Sequence, residues 1–154
     1  MQLKQIIVED VPQIARWNIE LHEDEGSTPM TVDGAETRLR KWLKDESFQT
    51  LIISVDGRLV GYLLYQLVPS APDIRGSVES VYIRQFYIIR EALRSGYGMD
   101  AIELLTQQVL DGTQPLHLDV KITNPGGQKF WGSLAFVAEH IAYIRQSLDS
   151  WRTV

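Results

Sequence analysis

The stretch YIRQFYIIREALRSGYGMDA, Tyr82 to Ala101, places a β-rich run, a polar turn and the start of a helix in immediate succession. Working outward, Val78 to Ile89 reads as a strand. Ala101, Leu104, Leu105, Gln108 and Val109 recur at helical spacing until Gly112 and Pro115 stop the helix. Between the two, Gly96 and Gly98 lack Cβ atoms, so the backbone can turn tightly and leave amide hydrogens facing an anion at a helix N-terminus. Arg94 stands just before them, a cation suited to a phosphate oxygen. Alone the turn is ambiguous. Two glycines can simply close a turn, and GYGMDA also fits the GxGxxA form of a dinucleotide fingerprint, with Asp119 about 20 residues downstream where a ribose-binding acid is expected. Against the dinucleotide reading, REALRS separates the strand from the first glycine, and Asp119 lies inside a strand between Leu118 and Val120. The roughly 55 residues after Gly98 are also too few for the remainder of a doubly wound sheet.

The chain has 154 residues, 44% of them hydrophobic, enough for one sizeable core, so a single domain over 1–154 is expected. Fifteen lysines and arginines against 20 acids give a net charge of -5, which argues against a nucleic-acid partner. There is no cysteine for a disulfide or thiolate site, and His22, His117 and His140 show no ligand spacing, so no metal is expected. MQLKQIIVED is too short and polar for a secretory signal, and no apolar run approaches the roughly 20 residues of a membrane span. The expectation is a cytoplasmic protein with no membrane partner.

Upstream, Gln5 to Val8 reads as a strand. Asp10 is the expected cap of a helix whose stripe is Val11, Ile14, Trp17 and Leu21 and which ends near His22 to Gly26. Thr31 should cap a second helix, with Leu39, Trp42 and Leu43 buried. TLIISVDGRLVGYLLYQLV is two strands joined at Asp56 and Gly57, a dipeptide suited to a type I′ turn, and Pro69 to Ser77 has loop composition. Downstream come the alternating strand LHLDV, a short helix from Pro125 to Ser133 and a strand-like run from Ala135 to Ile144. The order is β-α-α-β-β-β-α-β-α-β, a mixed α/β chain.

A second pattern, NPGGQKFWGSLAF from Asn124, resolves the ambiguity of the turn. Together the two patterns resemble the halves of the GCN5-related N-acetyltransferase (GNAT) signature, in which a strand leads into R/Q-x-x-G-x-G and later N-x-x-A-x-x-F-Y-x-x-x-G-F. The resemblance, covering nearly the whole chain, implies a mainly antiparallel sheet with helices on both faces. It implies acetyl-coenzyme A as co-substrate and direct transfer of acetyl to a primary amine. It further implies that the strand end at Ile88 and Ile89 pairs with the pantetheine arm and offers an amide to the thioester carbonyl, where the oxyanion develops. Arg94, Ser95, Gly96, Tyr97, Gly98 and Met99 would wrap the pyrophosphate, and Asn124 with Gly127 would meet the coenzyme's arm.

The chain departs from that pattern in places. Leu93 holds the Arg/Gln position, with Arg94 adjacent to supply the charge; Gly127 replaces alanine and Ala135 replaces glycine. Trp131 stands where the family commonly has the tyrosine that protonates the departing thiolate. An indole N–H donates a hydrogen bond but is no acid, so Trp131 can orient sulfur only. With a thiol pKa of ~8.5, releasing bare thiolate at pH 7 costs only about 2 kcal/mol. Deprotonating an amine of pKa ~10.4 costs ~4.6 kcal/mol at pH 7, so a base is expected. Glu79 is the first candidate, direct or through water, with Tyr82 and Gln85 on the same strand and His117 second. Trp17 and the acidic run Glu23, Asp24 and Glu25 after His22 would border the acceptor groove, the acids attracting a cationic amine. Two readings from other classes stay open: a noncatalytic acyl-coenzyme A sensor on the same fold, motivated by Trp131, and a nicotinamide-binding module resting on GYGMDA alone. The oligomeric state, monomer or homodimer, is not legible, and neither is the identity of the amine.

Overall fold

The sheet is organised around its hairpin. Strands β2 (Phe48–Val55) and β3 (Arg58–Pro69) pair antiparallel across Asp56 and Gly57, whose φ angles of 50° and 79° are those of the expected turn. The computed structural model describes residues 1–69 and 79–144. Within them five strands lie in the order β1-β2-β3-β4-β5, with β1 spanning Gln2–Gln5, β4 Glu79–Ile88 and β5 Leu116–His117. All pairs are antiparallel except β4 with β5. Beyond Pro69, the expected loop lies outside the described residues.

Helices α1 (Val11–Asp24) and α2 (Val32–Leu43) cover one face, where Val11, Ile14, Trp17 and Leu39 pack with Ile53, Val60, Tyr62 and Tyr87. Helix α3 (Tyr97–Leu104), which runs on as a π turn over Leu105–Val109, covers the other, where Ile102 and Leu105 meet Leu51, Leu63, Val81 and Ile83. Helix α4 (Pro125–Ser133) has the expected bounds. Thr31 caps α2 as expected, its hydroxyl accepting from Gly34 N at 3.1 Å.

Several expectations are corrected. The first strand ends at Gln5 rather than beginning there: Ile6 turns into the core, and Val8–Asp10 form a 3-10 turn. Asp10 stands at the N-cap position of α1 as expected, but its side chain makes no cap bond there. Its carboxylate reaches back to accept from Ile7 N at 2.9 Å, as the third residue of a capping box does. LHLDV pairs only at Leu116 and His117. Ala135 to Ile144 is not a strand: Ala135 turns with φ 64°, and the following backbone has no ladder partner among the described residues. β-propensity without a neighbouring edge does not make a strand.

The detail that most shapes the sheet is a bulge. Leu64 pairs with Gln85 but Tyr65 pairs with Ile83, leaving Arg84 as the extra residue on β4. An extra residue reverses which edge each following amide faces. Before it, Val81 N–H donates away from β3 to Pro115 O (3.0 Å); after it, Ile89 N–H donates toward β3, to Val60 O (2.9 Å). Opposite this upper half of β4 lies Gly61, where a Cβ would fall 2.1 Å from Tyr87 O. Gly61→Ala should therefore destabilise the domain by about 3 kcal/mol or more, since backbone cannot give way as a side chain can. Chemical denaturation of the purified variant measures it, and an unchanged midpoint would contradict the strand register.

Candidate active site

Beyond Tyr82, β4 and the chain after β5 separate, leaving one edge of β4 without a strand partner among the described residues. The phase set by the bulge decides what that edge offers. Because Ile89 N–H faces β3, alternation turns the amides of Ile88 and Phe86 to the open edge. The Ile89 amide is thus occupied by Val60 O, and the amides that alternation turns to the open edge are those of Phe86 and Ile88. At the point of separation the Tyr82 hydroxyl donates to Asp119, and Arg84 lies over the Tyr82 ring at 4.3 Å. Burial, and then the Asp119 carboxylate, push the Tyr82 phenol up to about 12. It is a donor at neutral pH.

The turn toward α3 leaves β4 through a 3-10 turn at Arg90–Ala92. Arg94 (φ 63°) and Gly96 (φ 85°) adopt left-handed backbone, and the Ser95 hydroxyl donates to Ala92 O. The first backbone bond of α3 runs from Asp100 N to Gly96 O at 3.1 Å, so the amides of Tyr97, Gly98 and Met99 have no acceptor within the helix. Arg94, Ser95 and Met99 are exposed around them. The two glycines have different tasks. Gly96 supplies the turn, with nothing near its missing side chain; Gly98 allows close packing, since a Cβ there would lie 3.0 Å from the Phe130 ring and 3.6 Å from Phe86.

Trp131 sits across the separation from β4, 5.6 Å from the Phe86 ring, 4.9 Å from Phe130 and 5.1 Å from Phe136. It is packed in an aromatic cluster and half-buried. Asn124 caps α4, its Oδ1 accepting from Gly127 N at 2.9 Å. Gly127 is what lets it lie there, because a Cβ would come within 2.6 Å of Asn124 Nδ2.

The expected base and acceptor residues are placed less simply. Glu79 is exposed at the start of β4, seven residues before Phe86, or about 23 Å at the rise of a strand. That is too far for direct proton transfer at the Phe86 amide. Trp17 is 7% exposed, stacked on Tyr62 at 6.5 Å, and its margin floors an open cavity of about 350 Å³ with Gln13, Glu20, Arg58 and Arg90. Glu23 and Asp24 are both taken by Arg90, at 3.0 and 2.9 Å. Glu25 is half-buried with its carboxyl raised by that burial, near Lys121. Sequence reasoning missed Asn18. Fully buried on α1, it donates to Tyr62 Oη (2.9 Å) and Gln85 Oε1 (2.8 Å) and accepts from Arg38 (2.7 Å). Its signal was readable: a polar side chain at helical spacing between Ile14 and Leu21. Burial, then the charges of Arg38 and Lys121, hold the nearby His22 below the usual histidine range.

Among the described residues, no group of histidines and acids could hold a metal ion, and no helix is long and apolar enough to cross a membrane.

The sheet is mainly antiparallel, and its fourth strand parts from the fifth before the glycine turn that opens α3. The sequence matches the family model of the acetyltransferase (GNAT) family over residues 11–136, and the chain belongs to that family. A search of curated proteins finds no match. Among solved structures, the fold is similar to a mutant form of the BH1408 protein of Bacillus halodurans, with TM-score 0.79 and 18% identity over 96% of this chain and 100% of that one. It is similar to ribosomal-protein-alanine N-acetyltransferase from Brucella melitensis biovar Abortus 2308, with TM-score 0.75 and 18% identity over 95% and 99% of the two chains. The aminoglycoside 6′-N-acetyltransferase of Acinetobacter haemolyticus matches with TM-score 0.73 and 14% identity over 97% and 100%.

Gly96→Val puts a β-branched residue at φ 85°, a strain of about 1–3 kcal/mol that the turn would relieve by rearranging. Coenzyme A affinity should fall by about 10-fold or more, on the same free-energy scale, while circular dichroism keeps the native spectrum. Unchanged affinity by calorimetry would move the phosphate site elsewhere.

Proposed function

We propose that the protein is an N-acetyltransferase that moves acetyl from acetyl-coenzyme A to a primary amine by direct attack. One observation carries this reading: the open edge of β4, with the Phe86 and Ile88 amides facing it, leads through the Arg90–Ala92 turn into the helix N-terminus at Gly96. Pyrophosphate rests on the Tyr97, Gly98 and Met99 amides, with Arg94 alongside, where helix dipole and backbone donors act together. The pantetheine arm then lies along β4, and an edge amide donates to the thioester oxygen. As the amine attacks, that oxygen becomes anionic and the fixed N–H stabilises it without reorganisation. With no cysteine there is no thiol to form a thioester acyl-enzyme, and in this reading the amine attacks the coenzyme's thioester itself.

Trp131 lies on the sulfur side of the cleft in this reading and orients the leaving group without protonating it. The thiolate leaves bare and takes its proton from water, at a cost of about 2 kcal/mol at pH 7. At about 23 Å along β4, Glu79 is out of reach of the attacking amine even through one water, so solvent takes the proton in this reading. Tyr82, a donor to Asp119, is not the acceptor of that proton.

Thiol release from acetyl-coenzyme A over a panel of amines, amino acids, peptides and aminoglycosides tests the proposal, with turnover expected for one class. Tight coenzyme binding with no turnover on any member would favour the sensor reading that the tryptophan motivates, and preference for NADH would sink both. Trp131→Tyr restores an acid to the cleft, so kcat should rise at pH 7 by up to about 10-fold and be unchanged near pH 9, where the thiolate needs no proton. A pH-independent effect would separate Trp131 from the leaving group.

A further inference from the structure

The run FVAEHIAYI, Phe136 to Ile144, has seven apolar residues in nine, spread over both of the faces that a strand would present. Strands of that composition are normally covered on both sides. Here Val137, Ile141, Tyr143 and Ile144 are between 77 and 91% exposed, and the backbone makes no ladder among the described residues. Its departure from α4 is fixed. The amides of Leu134, Ala135 and Phe136 all donate to carbonyls of Trp131 or Gly132, and the Phe136 ring rests on Trp131 at 5.1 Å.

The same chain carries the complementary defect. LHLDVKI, Leu116 to Ile122, alternates with Leu116, Leu118, Val120 and Ile122 on one face, yet it pairs only at Leu116 and His117, and only with β4. Its outer edge has no neighbour among the described residues. Leu116 and Leu118 pack against the core cluster of Val81, Ile83 and Leu105, whereas Ile122 is 90% exposed. A bare edge and an exposed apolar strand are each unfavourable in water, and each invites another chain.

A second copy of this chain answers both defects at once. Each copy has one bare edge and one strand without an edge, so two copies related by a two-fold axis supply each other and the assembly closes. A foreign partner would cover one and leave the other open. The area is also sufficient. An aliphatic side chain of this kind buries roughly 60–120 Å² and a tyrosine roughly 150–250 Å². Ile122, Val137, Ile141, Tyr143 and Ile144 of both copies together therefore remove about 700–1,300 Å² from water before any backbone is counted, against the ~1,000 Å² that a specific interface requires.

We propose that the protein is a two-fold dimer in which Phe136 to Ile144 of each copy adds as a strand to the outer edge of Leu116 to Ile122 of the other. The added strand gives the chain beyond His117 the ladder it lacks alone, so the wall that parts from β4 is completed by the second copy.

The test uses the whole chain. Sedimentation between about 1 and 100 μM should show a monomer–dimer equilibrium. Ile141→Lys and Tyr143→Glu, at side chains exposed in the single copy, should each weaken the dimer by about 10-fold or more while circular dichroism is unchanged. Because the sequence has no cysteine, Glu139→Cys carries a spin label at one site only. Mixed with ¹⁵N-labelled unmodified protein, the spin-labelled protein should broaden the amides of residues 118–122 in the ¹⁵N chain. A monomer at every concentration, or a dimer indifferent to both substitutions, overturns the proposal. So does broadening of those amides only when label and ¹⁵N share one chain, which would mean that the strand folds back onto its own β5. Should either variant fail to fold, the spin-label measurement decides alone.

Discussion

The site depends on one irregularity of the backbone, the extra residue at Arg84. A regular β4 would carry the same amide phase from Val81 to Ile88, and the amides of Phe86 and Ile88 would be consumed by β3. The bulge reverses that phase just above the last rung shared with β5, so unpaired donors appear where the strands separate. Gly61, on the facing strand, is tied to the same geometry: no side chain fits beneath the Tyr87 carbonyl. The strand pair thus accepts local crowding on one edge and leaves donors open on the other.

Around this edge the two faces of the sheet do different work. The α3 and α4 side is apolar and aromatic, with Phe86, Phe130 and Trp131 in mutual contact, Phe136 against Trp131, and Gly98 pressed against Phe130 and Phe86. The α1 and α2 side is polar at its centre, where Asn18 and Tyr62 are fully buried and burial raises the Tyr62 phenol well above its ordinary value. The division sets one face to shelter carbon and the other to orient heteroatoms.

Much of the fold was legible because its signals are local. Asp56 and Gly57 carry their turn within themselves, Thr31 needs only Gly34 three residues on, and α4 is bounded by Asn124 and Pro125 at one end and the Ala135 turn at the other. What could not be read depends on partners distant in sequence. Whether Ile88 or Ile89 faces the cleft is set by register against β3; whether Glu23 and Asp24 attract a substrate is decided by Arg90, more than 60 residues away. Asp10 holds the N-cap position of α1, but the 3-10 turn inserted before the helix draws its carboxylate back to Ile7 N. Asn18 was visible as a polar interruption of an apolar stripe, but its partners Tyr62 and Gln85 come from the sheet.

The latch between Tyr82 and Asp119 joins β4 to the chain beyond β5 where the ladder has already ended. With only two rungs below it, the aperture at that point is governed by the combined reach of a phenol and a short carboxylate rather than by backbone geometry. Exchanging aspartate for glutamate at 119 therefore changes the gap between β4 and the chain beyond β5 by a single methylene while every strand keeps its register.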